Sequence, residues 1–235
     1  MFADAHIDNA VKGVISGIFA ATGQTCIAGS RLLVQESIHD EFVEKLVALG
    51  ATAKIGDPTS FDTQVGPVTN IPQYEKVLDY INVAKAEGAE VALGGGTPSG
   101  PEIGEGWFVE PTIFTGVKND MRIAQEEVFG PVLSVIPFKD DEEAISIGND
   151  VIYGLAAGVW TQNIGRAITM AGKLQAGTVW VNTYRAVSYL SPFGGYKKSG
   201  IGRESGQEMI KEYLQHKSVW IETSNAEAPN PFVLR

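Results

Sequence analysis

The chain has 235 residues, of which 44% are apolar and 20% are charged; this composition is typical of a globular protein and excludes a disordered one. Asp and Glu number 28 against 18 Lys and Arg, and the formal charge of −10 argues against a protein that binds nucleic acid or anionic membranes. A single cysteine excludes an intrachain disulfide, and no apolar run is long enough for a membrane span. The acidic first residues do not resemble a signal peptide, so we expect a cytoplasmic protein.

The apolar pattern predicts strands that alternate with helices. Helical spacing predicts a first helix over residues 7–19, capped by Asp4 or Asp8, and Ser37 with Asp40 predicts the start of a second helix that ends near residue 54. Further helices are predicted at 71–88, 140–149 and 163–175, and strands at 30–35, 90–93, 107–115, 131–138, 155–161 and 177–182. This alternation indicates an α/β fold with a mostly parallel sheet flanked by helices.

Three further segments lie outside this alternation. Glycine and proline predict a loop at 94–106. Residues 213–222 form an extended run, and such a C-terminal strand often pairs with a sheet edge, here that of a partner chain. The remaining residues to 235 are predicted to form a poorly ordered tail.

The lone Cys26 is the first candidate for chemistry. It follows the first helix in the sequence GQTCIAGSR, with glycines on both sides. Glycines let the backbone approach a ligand closely, and a nucleophile on such a bend can point its own backbone N–H at the oxyanion that it creates. The residues alone leave a second interpretation open, in which Cys26 is a packed thiol beside the end of a helix.

Several common sites are excluded by spacing. The three histidines lie far apart and not at ligand spacing, so we expect no metal site. There is no GxSxG elbow and no Walker-type phosphate loop. The sequence GIGRESG at 200–206 is not a dinucleotide fingerprint, because its third glycine comes one residue late and no βαβ unit follows it.

Glu126 and Glu127 begin the sequence EEVFGP. Either this segment is a solvated turn, or one carboxylate accepts hydrogen bonds from a sugar diol while Phe129 covers a flat ring. Adjacent carboxylates point in different directions and rarely act as an acid/base pair. From the residues alone, the solvated turn is favoured.

Six stretches of the chain, taken together, resemble the NAD(P)-dependent aldehyde dehydrogenase superfamily. They are FADAHIDNAV, GQTCIAGSRLLV, EEVFGPVLSV, YGLAAGVWT, GTVWVN and SPFGGYKKSGIGRESG. They follow the order of the family and cover almost the whole chain. The resemblance implies an enzyme that oxidises a small-molecule aldehyde to a carboxylic acid with NAD or NADP as hydride acceptor.

The resemblance also implies roles for particular residues. Cys26 matches the catalytic thiol, which attacks the aldehyde as a thiolate to give a thiohemiacetal; hydride transfer then leaves a thioester that water hydrolyses. The backbone N–H of Cys26 belongs to the oxyanion hole. Glu127 matches the residue that holds the nicotinamide-side ribose, and Phe129 the aromatic that packs near the nicotinamide.

The remaining matches concern the cofactor ribose and the substrate pocket. Gln73 and Lys76 align with positions near the ribose of the cofactor. Phe193 matches a residue that lines the aldehyde pocket, and Val187 falls where the family sets substrate preference. Asn182 is expected to order the loop that carries Val187.

Members of this family are longer and begin with a dinucleotide-binding domain. The resemblance implies that this domain, the general-base glutamate and the oxyanion-hole asparagine would all fall upstream of Met1. We therefore expect residues 1–212 to form the catalytic domain, 213–223 an oligomerisation strand of a homo-oligomer, and 224–235 a tail. The chain alone is expected to be inactive as a dehydrogenase, with two alternatives: a residual thiol esterase or acyl-transfer activity, or an inactive self-associating module.

Overall fold

A computed structural model describes residues 1–100, 103 and 105–233. In chain order they form α1 (Ile7–Phe19), β1 (Arg31–Gln35), α2 (His39–Gly50), α3 (Ile71–Ala86), β2 (Glu90–Leu93), β3 (Thr112–Thr115), α4 (Arg122–Gln125), β4 (Val132–Phe138), α5 (Asp141–Asn149), β5 (Tyr153–Gly154), β6 (Ala156–Val159), α6 (Ile164–Lys173), β7 (Thr178–Val181) and β8 (Tyr196–Lys197). Short 3₁₀ helices lie at Ala20–Gly23, Glu36–Ile38 and Glu208–Tyr213. Three residues of the predicted loop at 94–106, and the last two of the tail, lie outside the described residues.

The main sheet has the strand order β1-β4-β3-β2, in which β1, β4 and β3 run parallel and β2 is antiparallel. Strands β6 and β7 form a separate parallel pair, and β5 pairs with β8 in antiparallel orientation. The central strand β4 is buried at six of its seven positions, as expected of a parallel strand covered on both faces. The predicted α/β fold with a mostly parallel sheet is confirmed.

The helices cover the sheet with separate apolar clusters. One cluster joins α1 and α2 to the sheet through Leu133 and Val135 of β4. A second packs α3 against β3 and β4, and a third gathers Phe2 and Phe138 with α5 and α6. Alternate residues of the strands therefore enter cores on opposite faces of the sheet.

The predicted cap of α1 is wrong. His6 precedes this helix and makes no side-chain cap, and neither Asp4 nor Asp8 caps it. The Asp4 carboxylate instead accepts hydrogen bonds from the Thr161 hydroxyl and the Asn163 N–H, and its Oδ1 lies 3.1 Å from Arg166. Asp4 thus joins the start of the chain to the turn before α6.

The start and the end of α2 also differ from the prediction. Ser37 lies inside a 3₁₀ turn, and α2 begins at His39 without a side-chain cap. The helix ends at Gly50, four residues before its predicted end, where a Cβ would lie 2.8 Å from Leu93. The helices predicted at 71–88, 140–149 and 163–175 do have side-chain caps in the structure. Asn70, Asp140 and Asn163 cap α3, α5 and α6, although the sequence analysis did not predict these caps.

The strand predicted at 107–115 is shorter in the structure. Only Thr112–Thr115 pairs with the sheet. The preceding residues bond to loops instead, since the Trp107 carbonyl accepts from Val68 and the Glu110 N–H donates to Gly96. Pro111 has no N–H to donate to a strand ladder.

The extended C-terminal segment has no partner within the described chain. From Leu214 to Asn230 the backbone forms neither helix nor strand. The domain boundary at residue 212 and the pairing of 213–223 with another chain stay predictions. Within the described ranges, no helix combines the length and apolarity needed to cross a bilayer, and no cluster of three potential metal ligands occurs.

The backbone amine of Met1 is partly buried. The Met1 amine donates to the Leu33 carbonyl at 2.7 Å, and burial lowers its pKa from 8.0 to about 5. Unfolding exposes this amine, so the unfolded chain binds a proton that the folded chain excludes between those two pH values.

We expect the free energy of unfolding to rise with pH from about 5 to 8 and then level off. The change in pKa corresponds to about 4 kcal/mol. Urea unfolding at stepped pH, compared between the free and the N-terminally acetylated chain, measures this contribution. Identical pH profiles for the two forms would contradict the prediction.

Candidate functional site

Cys26 lies on a bend between α1 and β1, as the sequence predicted, and its side chain is exposed. The bend begins with Ala21, Thr22 and Gly23, whose φ angles of 52°, 56° and 68° are all left-handed. Side chains fix it to the loop before α3: the Thr22 hydroxyl donates to the Gly66 carbonyl, and the Gln24 side chain accepts from the Thr69 N–H at 2.9 Å. The thiol is therefore presented by an anchored loop.

Gly23 brings the Cys26 loop against the loop before β4. A Cβ at Gly23 would lie only 2.0 Å from the Gly130 carbonyl oxygen, so the two backbones touch where a larger residue cannot fit. This contact places Cys26 beside the segment that contains Glu127 and Phe129.

The backbone at Cys26 is also available for binding. In the described part of the chain, the Cys26 N–H has no hydrogen-bond acceptor. The neighbouring Ile27 carbonyl, in contrast, accepts from the Tyr184 hydroxyl at 3.0 Å. An N–H next to an exposed thiol is the arrangement that can stabilise negative charge on an oxygen bonded to the attacked carbon.

The two adjacent carboxylates have different roles in the structure. Glu126 makes two hydrogen bonds of 2.9 Å to Arg122 and accepts another from the Tyr80 hydroxyl, and these partners lower its pKa to about 2. Glu127 is exposed, and its carboxylate has no partner among the residues that the structure describes. Of the pair, only Glu127 is free to bind a ligand.

Phe129 is held in a strained conformation next to Glu127. Its φ is 57°, a left-handed value that costs a bulky residue about 1 kcal/mol or more. The Gln73 amide offsets this cost by donating to the Val128 and Phe129 carbonyls at 2.8 and 3.0 Å. Gln73 thus acts in the structure as a positioning residue for the loop.

One cavity of about 490 Å³ brings three of the predicted residues together. Cys26, Glu127 and Phe129 all line it. Gln73 lies behind the Phe129 loop, and Lys76 lies outside the lining with its Nζ 5.8 Å from the ring centre of Tyr80. The structure therefore joins the predicted nucleophile to two of the four predicted cofactor residues.

The predicted pocket residues lie elsewhere. Phe193 and Val187 do not line this cavity. The Phe193 backbone exchanges two hydrogen bonds of 2.7 Å with Glu204, and Val187 is 72% exposed. Asn182 donates to the Thr161 carbonyl and accepts from its N–H, which joins the ends of β6 and β7.

Sequence reasoning missed Tyr184. Besides its bond to Ile27, its side chain lies where Cβ atoms at Gly17, Gly29 and Gly158 would come within 3.3 Å of it. The residue keeps some exposed surface, but its hydroxyl is buried, and burial raises the pKa of Tyr184 to about 12. The only signal in the sequence is a set of glycines spread over three segments, which no local pattern connects.

Comparison with known proteins gives a consistent result. A model of the aldehyde dehydrogenase family matches residues 1–219. Betaine aldehyde dehydrogenase of Brucella anthropi is 47% identical over 229 residues, which are 97% of this chain and 47% of that protein. An aldehyde dehydrogenase of Emericella nidulans is 48% identical over 219 residues, 93% of this chain and 43% of that protein.

Solved structures agree with these matches. A betaine aldehyde dehydrogenase point mutant from Staphylococcus aureus, in complex with NAD⁺ and with a BME-modified cysteine, superposes with a TM-score of 0.95 at 44% identity; it covers 99% of this chain and 47% of its own. HpcC from Thermus thermophilus gives 0.93 at 40% identity, with 98% and 45% covered. The chain spans about half the length of the curated relatives that it matches.

The contact between Gly23 and Gly130 generates a prediction about stability. Gly23→Ala adds a methyl group at a left-handed position against a backbone carbonyl, and we expect a loss of about 3 kcal/mol or more. Gly88→Ala is the matched control, because Gly88 is also left-handed but nothing lies within 4 Å of its Cβ position. There we expect about 1 kcal/mol. Equal losses in urea unfolding would show that the two loops do not touch.

Proposed function

Because the chain belongs to the aldehyde dehydrogenase family, we propose that Cys26 is the nucleophile that attacks the aldehyde. One observation carries the proposal: an exposed thiol shares a cavity with a free carboxylate, Glu127, and with the ring of Phe129. This combination supplies a nucleophile and two groups suited to a nucleoside-like cofactor in one place. The exposure of the thiol also supports the catalytic interpretation of Cys26 more than that of a packed thiol.

The first step follows from the geometry of the Cys26 loop. The thiolate of Cys26 forms a bond to the carbonyl carbon, and the electron pair of the C=O π bond moves to oxygen. The free Cys26 N–H donates to that oxyanion. The product is the oxyanion of a thiohemiacetal on an anchored loop, so little reorganisation accompanies the step.

The residues beside the thiol fit a nicotinamide cofactor. Glu127 has an unengaged carboxylate that can accept hydrogen bonds from a ribose diol, and Phe129 offers an apolar ring for a flat heterocycle. When bound, NAD or NADP would supply the hydride acceptor of the oxidation. Gln73 supports the cavity side that Glu127 and Phe129 form, because it holds the Phe129 loop. Lys76 is proposed to lie farther from the cofactor, outside this cavity.

We propose that the 235 residues alone do not sustain dehydrogenase turnover. Hydrogen bonds that Glu127 accepts from a cofactor contribute about 1 kcal/mol each, and association costs at least about 4 kcal/mol. The two groups on this cavity wall therefore hold the cofactor too weakly. The matched segment is only 47% of the Brucella anthropi relative, so that protein has further residues that can bind the cofactor.

The identity of the aldehyde is proposed only as a class. Relatives named for betaine aldehyde and for aldehydes in general match almost equally well, at 47% and 48% identity. We infer a small aldehyde as substrate, with Phe193 and Val187 as pocket residues of the assembled enzyme. Both residues lie outside the described cavity, so the loop from 183 to 191, which carries Val187, and the segment that carries Phe193 would have to approach Cys26 for them to act.

A nitrophenyl ester tests the nucleophile without any cofactor. With p-nitrophenyl acetate we expect a burst of one nitrophenolate per chain, because Cys26 is the only cysteine. Cys26→Ser should reduce the burst rate about tenfold or more. Ser30→Ala, which removes a hydroxyl from the same cavity, should leave it unchanged. A burst of unchanged rate in Cys26→Ser would refute the proposed nucleophile.

A second measurement separates aldehyde addition from simple ester cleavage. An aldehyde that forms a thiohemiacetal protects Cys26 from alkylation by iodoacetamide, whereas the corresponding alcohol does not. Protection that rises with aldehyde concentration supports the dehydrogenase interpretation. A burst without such protection would favour the thiol esterase alternative.

We also propose that residues 213–223 pair with a second copy of the chain. Val219, Trp220 and Ile221 are exposed at 69%, 95% and 78%, although they lie in an extended apolar run. We expect Trp220→Lys to shift the mass in sedimentation toward the monomer, while Phe232→Lys, a similarly exposed site in the tail, does not. Identical masses for the two variants and the unchanged chain would exclude this interface.

A further inference from the structure

A second, open pocket of about 350 Å³ lies between α1 and the loop after β7. Asn9, Lys12 and Ser16 follow one another at helical spacing, so one exposed face of α1 contributes all three to it. The loop contributes Thr183 and Tyr184. We call this space the α1 pocket. All its polar side chains carry hydrogen-bond donors, and none of the described residues that line it is an Asp or Glu, which favours an anionic ligand.

Lys12 supplies the α1 pocket with a positive charge that is not neutralised locally. Among the described residues, its ammonium group has no hydrogen bond and no ion pair. The carboxylate of Asp8 is near enough to feel this charge, but it accepts a hydrogen bond of 2.9 Å from Lys45. Lys45 is also the main cause of the lowered pKa of Asp8, to which Lys12 adds little. Lys12 therefore stays available to a ligand.

Arg185 adds a second positive charge beside the pocket. Its Nη1 donates to the Ser16 carbonyl at 3.2 Å, near the end of α1, and its remaining N–H groups have no acceptor in the part of the chain that the structure describes. The φ of Arg185 is 61°, a left-handed value that costs about 1 kcal/mol. A cation at the C-terminus of a helix gains only about 0.5 kcal/mol. The contact with α1 therefore does not by itself account for a strained arginine whose other donors are unused.

The α1 pocket lies next to the cavity that contains Cys26. Trp160 and Tyr184 line both spaces. The Tyr184 hydroxyl donates to the carbonyl of Ile27, the residue after Cys26. Burial raises the pKa of Tyr184 and the charge of Arg185 partly opposes this effect, so the guanidinium group lies close enough to act on that hydroxyl. One tyrosine side chain thus bridges the distance from the pocket to the Cys26 loop.

We propose that the α1 pocket binds a carboxylate group of the aldehyde substrate, with Lys12 and Arg185 as its cationic partners and the Ser16 and Thr183 hydroxyls as further donors. The substrate class is then a short aldehyde that has a carboxylate at its other end. A neutral substrate would leave both positive charges without a counterion. The inference rests on the proposed function of Cys26 for the aldehyde end of the substrate, but the anion site itself does not involve the thiol.

Succinate tests the anion site separately from the thiol. In a Cys26→Ser chain, succinate should cause saturable shifts of the amide resonances of Ser16 and Thr183, whereas dimethyl succinate, its neutral analogue, should not. Lys12→Gln combined with Arg185→Asn should abolish these shifts. Asparagine tolerates the left-handed φ at this position, so the loop keeps its conformation. Shifts of equal size in the double variant would overturn the proposed site.

Two aldehydes that differ only in charge test the substrate class. In the iodoacetamide assay, 4-oxobutanoate should protect Cys26 at about tenfold lower concentration than its methyl ester, because two partly exposed charge pairs act together. Lys12→Gln and Arg185→Asn should each reduce this preference about threefold, and about 1 M NaCl should weaken it. Arg185→Lys keeps the charge and should retain most of the preference.

A matched control removes a charge elsewhere, and the outcomes separate the two proposals. Lys139 is exposed just after β4, so Lys139→Gln should leave both measurements unchanged. Equal protection by the acid and its ester would overturn the carboxylate site, while the nucleophile would stand. Protection by neither aldehyde, together with saturable binding of succinate, would refute the proposed function of Cys26 and support the anion site.

Discussion

The parallel pairing of β1 with β4 is the constraint on which the candidate site depends. Cys26 precedes β1, and Glu127 and Phe129 precede β4. Because neighbouring parallel strands begin at the same edge of a sheet, the two loops that enter them must meet. The register aligns Arg31 with Ser134, and Gly23 lets the loops approach to backbone contact. Residues a hundred positions apart thereby line one cavity.

Much of this arrangement could be predicted from the sequence, because the signals are local. Glycines around Cys26 indicated a bend, and apolar runs between helices indicated the parallel sheet. The choice between Glu126 and Glu127 could not be made from the residues alone, and the solvated turn was favoured there. In the structure, Arg122 and Tyr80 engage Glu126, whereas the Glu127 carboxylate has no partner among the described residues, which supports the role proposed for Glu127.

The wrong or missed predictions share a physical cause, since long-range contacts replace local ones. Asp4 has the right side chain for a cap but bonds to residues more than 150 positions away, including Thr161 and Asn163. Tyr184 supports the Cys26 loop through a single hydrogen bond to Ile27 and through three distant glycines. Residues 107–111 have strand-like composition, yet their backbone bonds to loop residues and the segment ends in a proline, so they do not pair with the sheet.

These long-range contacts also connect the site to the β6–β7 pair. That pair is joined to the rest of the molecule by Phe2, which bonds to Trp160, by Asp4, and by the Tyr184 hydroxyl on the Cys26 loop. The third of these contacts lies next to the thiol, because Ile27 directly follows Cys26. The position of the Cys26 loop consequently depends on how the β6–β7 pair packs against the rest of the molecule.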